Sequence, residues 1–284
     1  MERTEPALAA FNRRRLMVMC APNGARRSQA DHPALPISPA ELADEAEQLL
    51  CAGVSVLHLH VRDERGQHTL SVEAYRAAID AIRERVGRQL VLQVTTEAVG
   101  RYTPDQQMEM VRRLRPEAVS LALRELMPSE SHEKDALAFF NRLSEEGIWQ
   151  QFIVYSPQEL ARLEHLRQSG ALREAAPSVL LVLGSYLEAR PGSTRELDGF
   201  RHRADLSRFS WAACCFGQSE RALMLKVAEL GGHVRLGFEN NLALPDGSVA
   251  PSNSELVSGF LSALEHSERQ AATAEDVRRA FKIQ

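Results

Sequence analysis

The amino-acid sequence predicts a (β/α)8 TIM barrel of the α/β class, and three observations carry that expectation. Strand-length apolar runs alternate with helical patterns eight times along the chain. The runs are apolar almost throughout, as strands must be when helices cover a parallel sheet. The chain has 284 residues, and a single barrel of this kind typically takes about 250. A single barrel domain over residues 1–284 follows, with a short N-terminal lead-in and a C-terminal helical extension.

The strands are expected in this order. The first is Leu16-Met17-Val18-Met19-Cys20, the second runs from Val54 to His60, and the third is Leu90-Val91-Leu92-Gln93-Val94-Thr95. Ala118 to Ala122, Trp149 to Val154 and Ser178 to Leu183 follow, then Phe209 to Ala213 and His233 to Gly237. Each is succeeded by a period-3.6 pattern. Ser38-Pro39-Ala40-Glu41 supplies an N-cap, a proline in the first turn and an acid, which together start a helix. Thr103-Pro104-Asp105 and Ser156-Pro157-Gln158-Glu159 repeat that signal. No linker or low-complexity segment divides the chain.

Composition excludes several classes of function. Hydrophobic residues make up 44% of the chain, enough to fill a barrel core, and 34 basic against 38 acidic residues leave a net charge of −4. That balance gives no electrostatic footprint for nucleic acid or an anionic membrane, and the Arg13-Arg14-Arg15 cluster reads as a solvated lead-in. No apolar stretch approaches the ~20 residues that span a bilayer. The first residues, Met1-Glu2-Arg3-Thr4-Glu5, lack the apolar segment of a signal peptide. Cys20, Cys51, Cys214 and Cys215 form no CxxC pair or disulfide framework, which points to the cytoplasm.

Chemistry concentrates at His58-Leu59-His60. Side chains alternate along a strand, so both imidazoles face one side and can chelate one ion. Neutral imidazoles suit zinc or another divalent transition metal, and a catalytic zinc usually takes a third protein ligand and keeps one position open. Glu239, at the end of the Val234-Arg235-Leu236-Gly237-Phe238 run, is the best third ligand. The alternative is that one histidine packs in the core while the other caps a strand. Barrel active sites lie at the C-terminal strand ends. His60, Thr95 and Glu239 fall there, with Asn23, Arg26, Glu97, Arg124 and Glu125 in the loops that follow.

Four segments together resemble a known family: Ala21-Pro22-Asn23-Gly24-Ala25-Arg26, His58-Leu59-His60-Val61-Arg62-Asp63, Val94-Thr95-Thr96-Glu97, and Gly232 to Asn241. They are similar to the β-keto acid cleavage enzymes, over nearly the whole chain from about Leu16 to Leu264. The resemblance implies a metal, usually zinc, held by His58, His60 and Glu239, and a homo-oligomer, commonly a tetramer. It implies a reaction in which a β-keto acid and acetyl-CoA give acetoacetate and a new acyl-CoA. Arg235 matches the arginine that supports the catalytic base, and Thr95 and Ser120 match hydroxyls that hold substrate. For those two, simple bonding to neighbouring backbone stands as the alternative. CoA has no local signature here; Arg101, Arg190 and Arg195 are offered for its phosphates.

One departure from the family stands out. Many members carry aspartate after the metal-binding glutamate, paired with that arginine, whereas this chain has Asn240. An amide cannot accept a proton as a general base. Glu97, at a position where many members carry glycine, is the leading substitute, and Glu125 the second. On this reading an aspartate at position 240 should be tolerated. Arg26 stands where the lysine-fermentation enzyme has an acid facing its amino substrate, so a neutral or acidic β-keto acid is expected instead. Two other functions fit the same residues: an aldolase or hydrolase that uses the metal without CoA, and a metal- and ligand-binding barrel impaired in catalysis.

Overall fold

The computed structural model describes residues 7–186, 188–264 and 268–284. The first residues of the lead-in, Met1 to Glu5, lie outside them. Eight parallel strands form a closed barrel in chain order. They are β1 (Val18–Cys20), β2 (Val56–Leu59), β3 (Val91–Thr95), β4 (Ala118–Ala122), β5 (Trp149–Val154), β6 (Ser178–Leu183), β7 (Ser210–Cys215) and β8 (His233–Leu236). The expected barrel is therefore present, with every strand where the apolar runs put it.

Several strand boundaries differ by one or two residues from the sequence reading, β7 for instance running on to Cys215, and two of the differences have clear physical reasons. The first run is split, because Arg15–Leu16 pairs in parallel with Gln270–Ala271 below the barrel before the chain enters β1. At β8 the extended backbone stops at Leu236, since Gly237 has φ +127°. A Cβ there would lie 2.5 Å from the Ala21 carbonyl oxygen, so the turn requires glycine.

Helices α1 (Ala7–Arg14), α2 (Pro39–Cys51), α3 (Val72–Val86), α4 (Pro104–Leu114), α5 (Leu123–Leu126) and α6 (Glu130–Glu145) come first. Then come α7 (Pro157–Gln168), α8 (Thr194–Arg203), α9 (Glu220–Glu229), α10 (Asn253–Ser262) and α11 (Ala274–Phe281). Ser38 and Thr103 close capping boxes with Glu41 and Gln106, and Ser156 accepts from the Glu159 N–H, so the three serine or threonine–proline starts hold. Side chains alternate across the barrel wall. Val18, Cys20, Leu57 and Leu59 point outward to the helices, while Met17, Met19, Val56 and Val91 fill the interior.

The terminal helices α1 and α11 close the N-terminal end of the barrel. Phe11, Val277, Ala280 and Ile283 join the interior cluster, and Phe281 stacks on Trp149 with ring centroids 4.5 Å apart. His233, buried at the start of β8, ties this end together. Its Nδ1 accepts from the Met17 N–H (3.0 Å) and from Arg269, which leaves Nε2–H to donate to Asn12 Oδ1 at 3.0 Å. This histidine of the late motif is thus structural. The opposite end, where the strands terminate, is left open for a site.

Candidate active site

His58 and His60 project from the end of β2 to one side, their rings 4.9 Å apart. Both face Glu239, with His58 Nε2 at 3.8 Å and His60 Nδ1 at 3.7 Å from Glu239 Oε2. Ligand atoms about 2.1 Å from one zinc in a tetrahedral arrangement lie about 3.4 Å apart, so the three donors fit a divalent ion with little movement. Their electrostatics agree. Burial holds His58 down at about 3, leaving it neutral. Burial works to raise the Glu239 carboxyl, but Arg235, His60 and His58 outweigh it and hold it at about 2. His60 Nδ1 and Glu239 Oε2 are buried without a hydrogen-bond partner among the described residues, as ligand atoms facing an ion would be.

The outward nitrogens of both histidines are fixed. His58 Nδ1 donates to Gln93 Oε1 at 2.8 Å, so Nε2 carries the lone pair that faces Glu239. Gln93 escaped the sequence reading, although a glutamine inside the apolar run of β3, two residues before Thr95, was a signal. His60 Nε2 lies 3.2 Å from Glu97 Oε2, which fixes its tautomer in the same way. Glu97 Oε1 is 3.8 Å from Arg26 Nη2. Burial raises the Glu97 carboxyl, but the His60 bond and the nearby imidazoles bring it below the ordinary carboxylate range. Glu97 therefore braces His60, a candidate ligand, while standing ionised at the cavity wall, a contact the sequence could not reveal.

Leaving aside the arginines offered for CoA, all twelve site residues named from the sequence, Arg124 included, line one cavity of about 340 Å³ at the C-terminal end of the barrel. Arg235, the third residue of β8, reaches both Glu239 Oε1 and Asn240 Oδ1 at 3.0 Å. Arg235 and Glu239 are four residues apart, a spacing that on an unbroken strand would put both on one face, yet Gly237 breaks the strand; the turn at 237–240 brings the two together instead. Thr95 Oγ1 accepts from the Glu97 N–H, so the alternative of backbone bonding applies to it, whereas Ser120 Oγ is buried without a partner and faces the cavity. Asn23 donates to the Pro36 and His60 carbonyls and keeps Oδ1 free. Glu125 Oε2 accepts from the Ala98 N–H, and burial raises its carboxyl. Arg26 lies at the mouth, 5.8 Å over the Tyr186 ring. Of the three arginines offered for CoA, Arg190 lines the cavity but pairs with Glu188 and Glu196, while Arg101 and Arg195 are not among the lining residues.

The loop that carries Glu239 is held from below by residues the sequence did not single out. Glu220, at the start of α9, accepts from the Gly237 N–H and from Asn241 Nδ2. Asn253, at the start of α10, accepts from the Phe238 N–H and donates to the Pro22 carbonyl. Gly24 packs against Glu239 so closely that a Cβ would stand 2.6 Å from its Cγ. Arg62, of the HLHxRD segment, donates to the Gly24, Ala25 and Arg27 carbonyls and thereby shapes the loop that displays Arg26.

A family model described as beta-keto acid cleavage enzyme matches residues 15–283. The chain belongs to that family. A 3-keto-5-aminohexanoate cleavage enzyme from Fusobacterium nucleatum subsp. nucleatum is 27% identical over 95% of this chain and 98% of its own. A 3-oxoadipate:acetyl-CoA acetyltransferase from Cupriavidus necator is 25% identical over 92% and 93%. Among solved structures, apo ObcA superposes with a TM-score of 0.70 at 16% identity, covering 88% of this chain and 66% of that one; at that identity the likeness concerns the fold. Among the described residues no helix is long and apolar enough to cross a membrane. As a β-keto acid cleavage enzyme, the chain brings His58, His60 and Glu239 into one cluster that could hold a metal ion.

Proposed function

We propose that this enzyme joins a β-keto acid to acetyl-CoA, releasing acetoacetate and a new acyl-CoA, with a divalent metal, zinc by preference, at His58, His60 and Glu239. The observation that carries this reading is the convergence of two imidazoles and an ionised carboxylate inside the cavity of a family member. The names of relatives that use acetyl-CoA support the co-substrate. When bound, such an ion supplies Lewis acidity toward the keto group.

The chain's own residues supply the rest. Glu97 is the base that takes a proton from the carbon between the keto and carboxylate groups, because it is ionised, lines the cavity and has one oxygen turned from His60. Glu125 is second to it, since burial favours its uncharged form. Arg235 orients Glu239 and Asn240. The Ser120 hydroxyl and the O–H of Thr95 donate to substrate oxygens, Asn23 turns its Oδ1 acceptor toward a donor group of the ligands, and Arg26 disfavours an ammonium-bearing side chain while accepting a neutral or acidic one. The same reading carries a homotetramer, an expectation that rests on the family resemblance, in the cytoplasm, an expectation that rests on cysteines without a disulfide framework.

Omitting acetyl-CoA tests the reaction class. With metal-loaded protein, consumption of a β-keto acid should cease without acetyl-CoA; continued consumption would favour an aldolase or hydrolase.

A further inference from the structure

We propose that Asn240 is a hydrogen-bond donor to an anionic oxygen of the substrate, so that with Arg235 it turns a proton-accepting position into one that stabilises negative charge. The proposal rests on the β-keto acid reading of the site. Its basis is a set of buried donors that the protein leaves unused.

The orientation of the amide follows from its neighbour. Arg235 has only donors, so the atom 3.0 Å from its Nη2 must be Asn240 Oδ1, and Asn240 Nδ2 points away from it. Asn240 is 1% exposed, and Nδ2 finds no acceptor among the described residues. Arg235, 3% exposed, shares Nη2 among Glu239 Oε1, Asn240 Oδ1 and Cys214 Sγ, while Nε and Nη1 have no acceptor among the described residues. Ser120 Oγ, 1% exposed, is also without a partner. All three residues line the cavity that holds the metal-ligand trio. Buried donors are ordinarily satisfied, so three residues with spare donors around one cavity point to a ligand that brings the acceptors.

The charge of that ligand follows from the same groups. A carboxylate at position 240 would offset the Arg235 charge, whereas the amide leaves it shared with Glu239 alone. A cation and an amide N–H offered together suit a carboxylate or an oxyanion, the two forms in which a β-keto acid carries negative oxygen before and during reaction. Replacing Asn240 by aspartate reverses the interaction at one atom. It exchanges a free donor for an acceptor held ionised beside Arg235, and so repels the anion it now receives. The tolerance of aspartate expected from sequence alone therefore gives way to a loss.

Binding of acetoacetate to the metal-loaded protein without acetyl-CoA, measured by titration calorimetry with metal content checked by elemental analysis, tests this. Asn240→Asp should weaken binding by at least about tenfold, and more than Asn240→Ala does, with the metal retained. Equal or tighter binding by Asn240→Asp, or no binding by the wild type, would overturn the proposal. Should Asn240→Asp not fold, Asn240→Ala decides alone, and unchanged affinity overturns it. Failure of the reaction reading gives a different signature: turnover without acetyl-CoA, or none, with the order of acetoacetate affinities intact.

Discussion

His60 is held between two carboxylates, with Nδ1 toward Glu239 and Nε2 toward Glu97, and that arrangement sets the expected behaviour of each. Removing one metal ligand should sharply lower occupancy, and full metal content by elemental analysis in a His58→Ala, His60→Ala double variant would end the metal assignment. Glu97→Gln should lower turnover by about 10²-fold or more, as loss of a general base does. Because Glu97 also fixes His60, the same change should weaken metal affinity roughly 10- to 100-fold, read by competition with a chelating dye. Near-normal turnover in Glu97→Gln, with Asn240→Ala inactive, would remove Glu97 from the chemistry. Arg26→Glu should shift the kcat/KM ratio toward ammonium-bearing β-keto acids; 5-amino-3-oxohexanoate as the best wild-type substrate would refute the charge argument. The sequence pointed to His58, His60 and Glu239 because strand alternation and strand ends are local rules, while Arg235 came from the family resemblance. It hid the Glu97–His60 bond, which depends on how the closed barrel sets the end of β3 beside that of β2.

The turn after β8 shows how elements far apart in sequence position a functional group. Glu239 depends on Gly24 for space, on Asn253 for the backbone of Phe238 and on Glu220 for that of Gly237. Gly24→Ala would meet both a φ of +63° and the Glu239 side chain, so it should lower metal occupancy more than thermal stability. Glu220 introduces a pH dependence. Burial pushes its carboxyl up to about 8, so between its ordinary value and that point the folded state holds a proton the unfolded chain has lost. Stability then falls as pH rises from about 5 to 8, by an amount on the order of a few kcal/mol from this group. Glu220→Gln removes the titration, and the decline of Tm across that range should flatten; an unchanged slope would contradict it. Apolar runs and serine–proline starts made these elements legible. The ties between α9, α10 and the β8 turn were not, since a polar residue at a helix start reads equally as a cap.

The whole molecule divides its work between the two ends of the barrel. One end is closed by α1 and α11 around Phe11, Trp149 and Phe281, and the other is open around the histidine pair. Phe281→Ala should therefore cost roughly 2–4 kcal/mol of stability, seen in denaturant unfolding, while kcat of the folded enzyme stays near wild type. The eightfold alternation made the barrel legible from sequence, but the closing role of the termini was not, because Ala7–Arg14 is a short helix whose partner lies at the far end of the chain. The central claim, acyl exchange between a β-keto acid and acetyl-CoA at this metal site, is tested most directly with acetyl-CoA labelled by ¹³C in its acetyl group. Metal-loaded enzyme and a panel of β-keto acids should yield labelled acetoacetate together with an unlabelled acyl-CoA whose mass follows the keto acid supplied. Consumption of the keto acid with no label in acetoacetate and no new acyl-CoA would contradict the account.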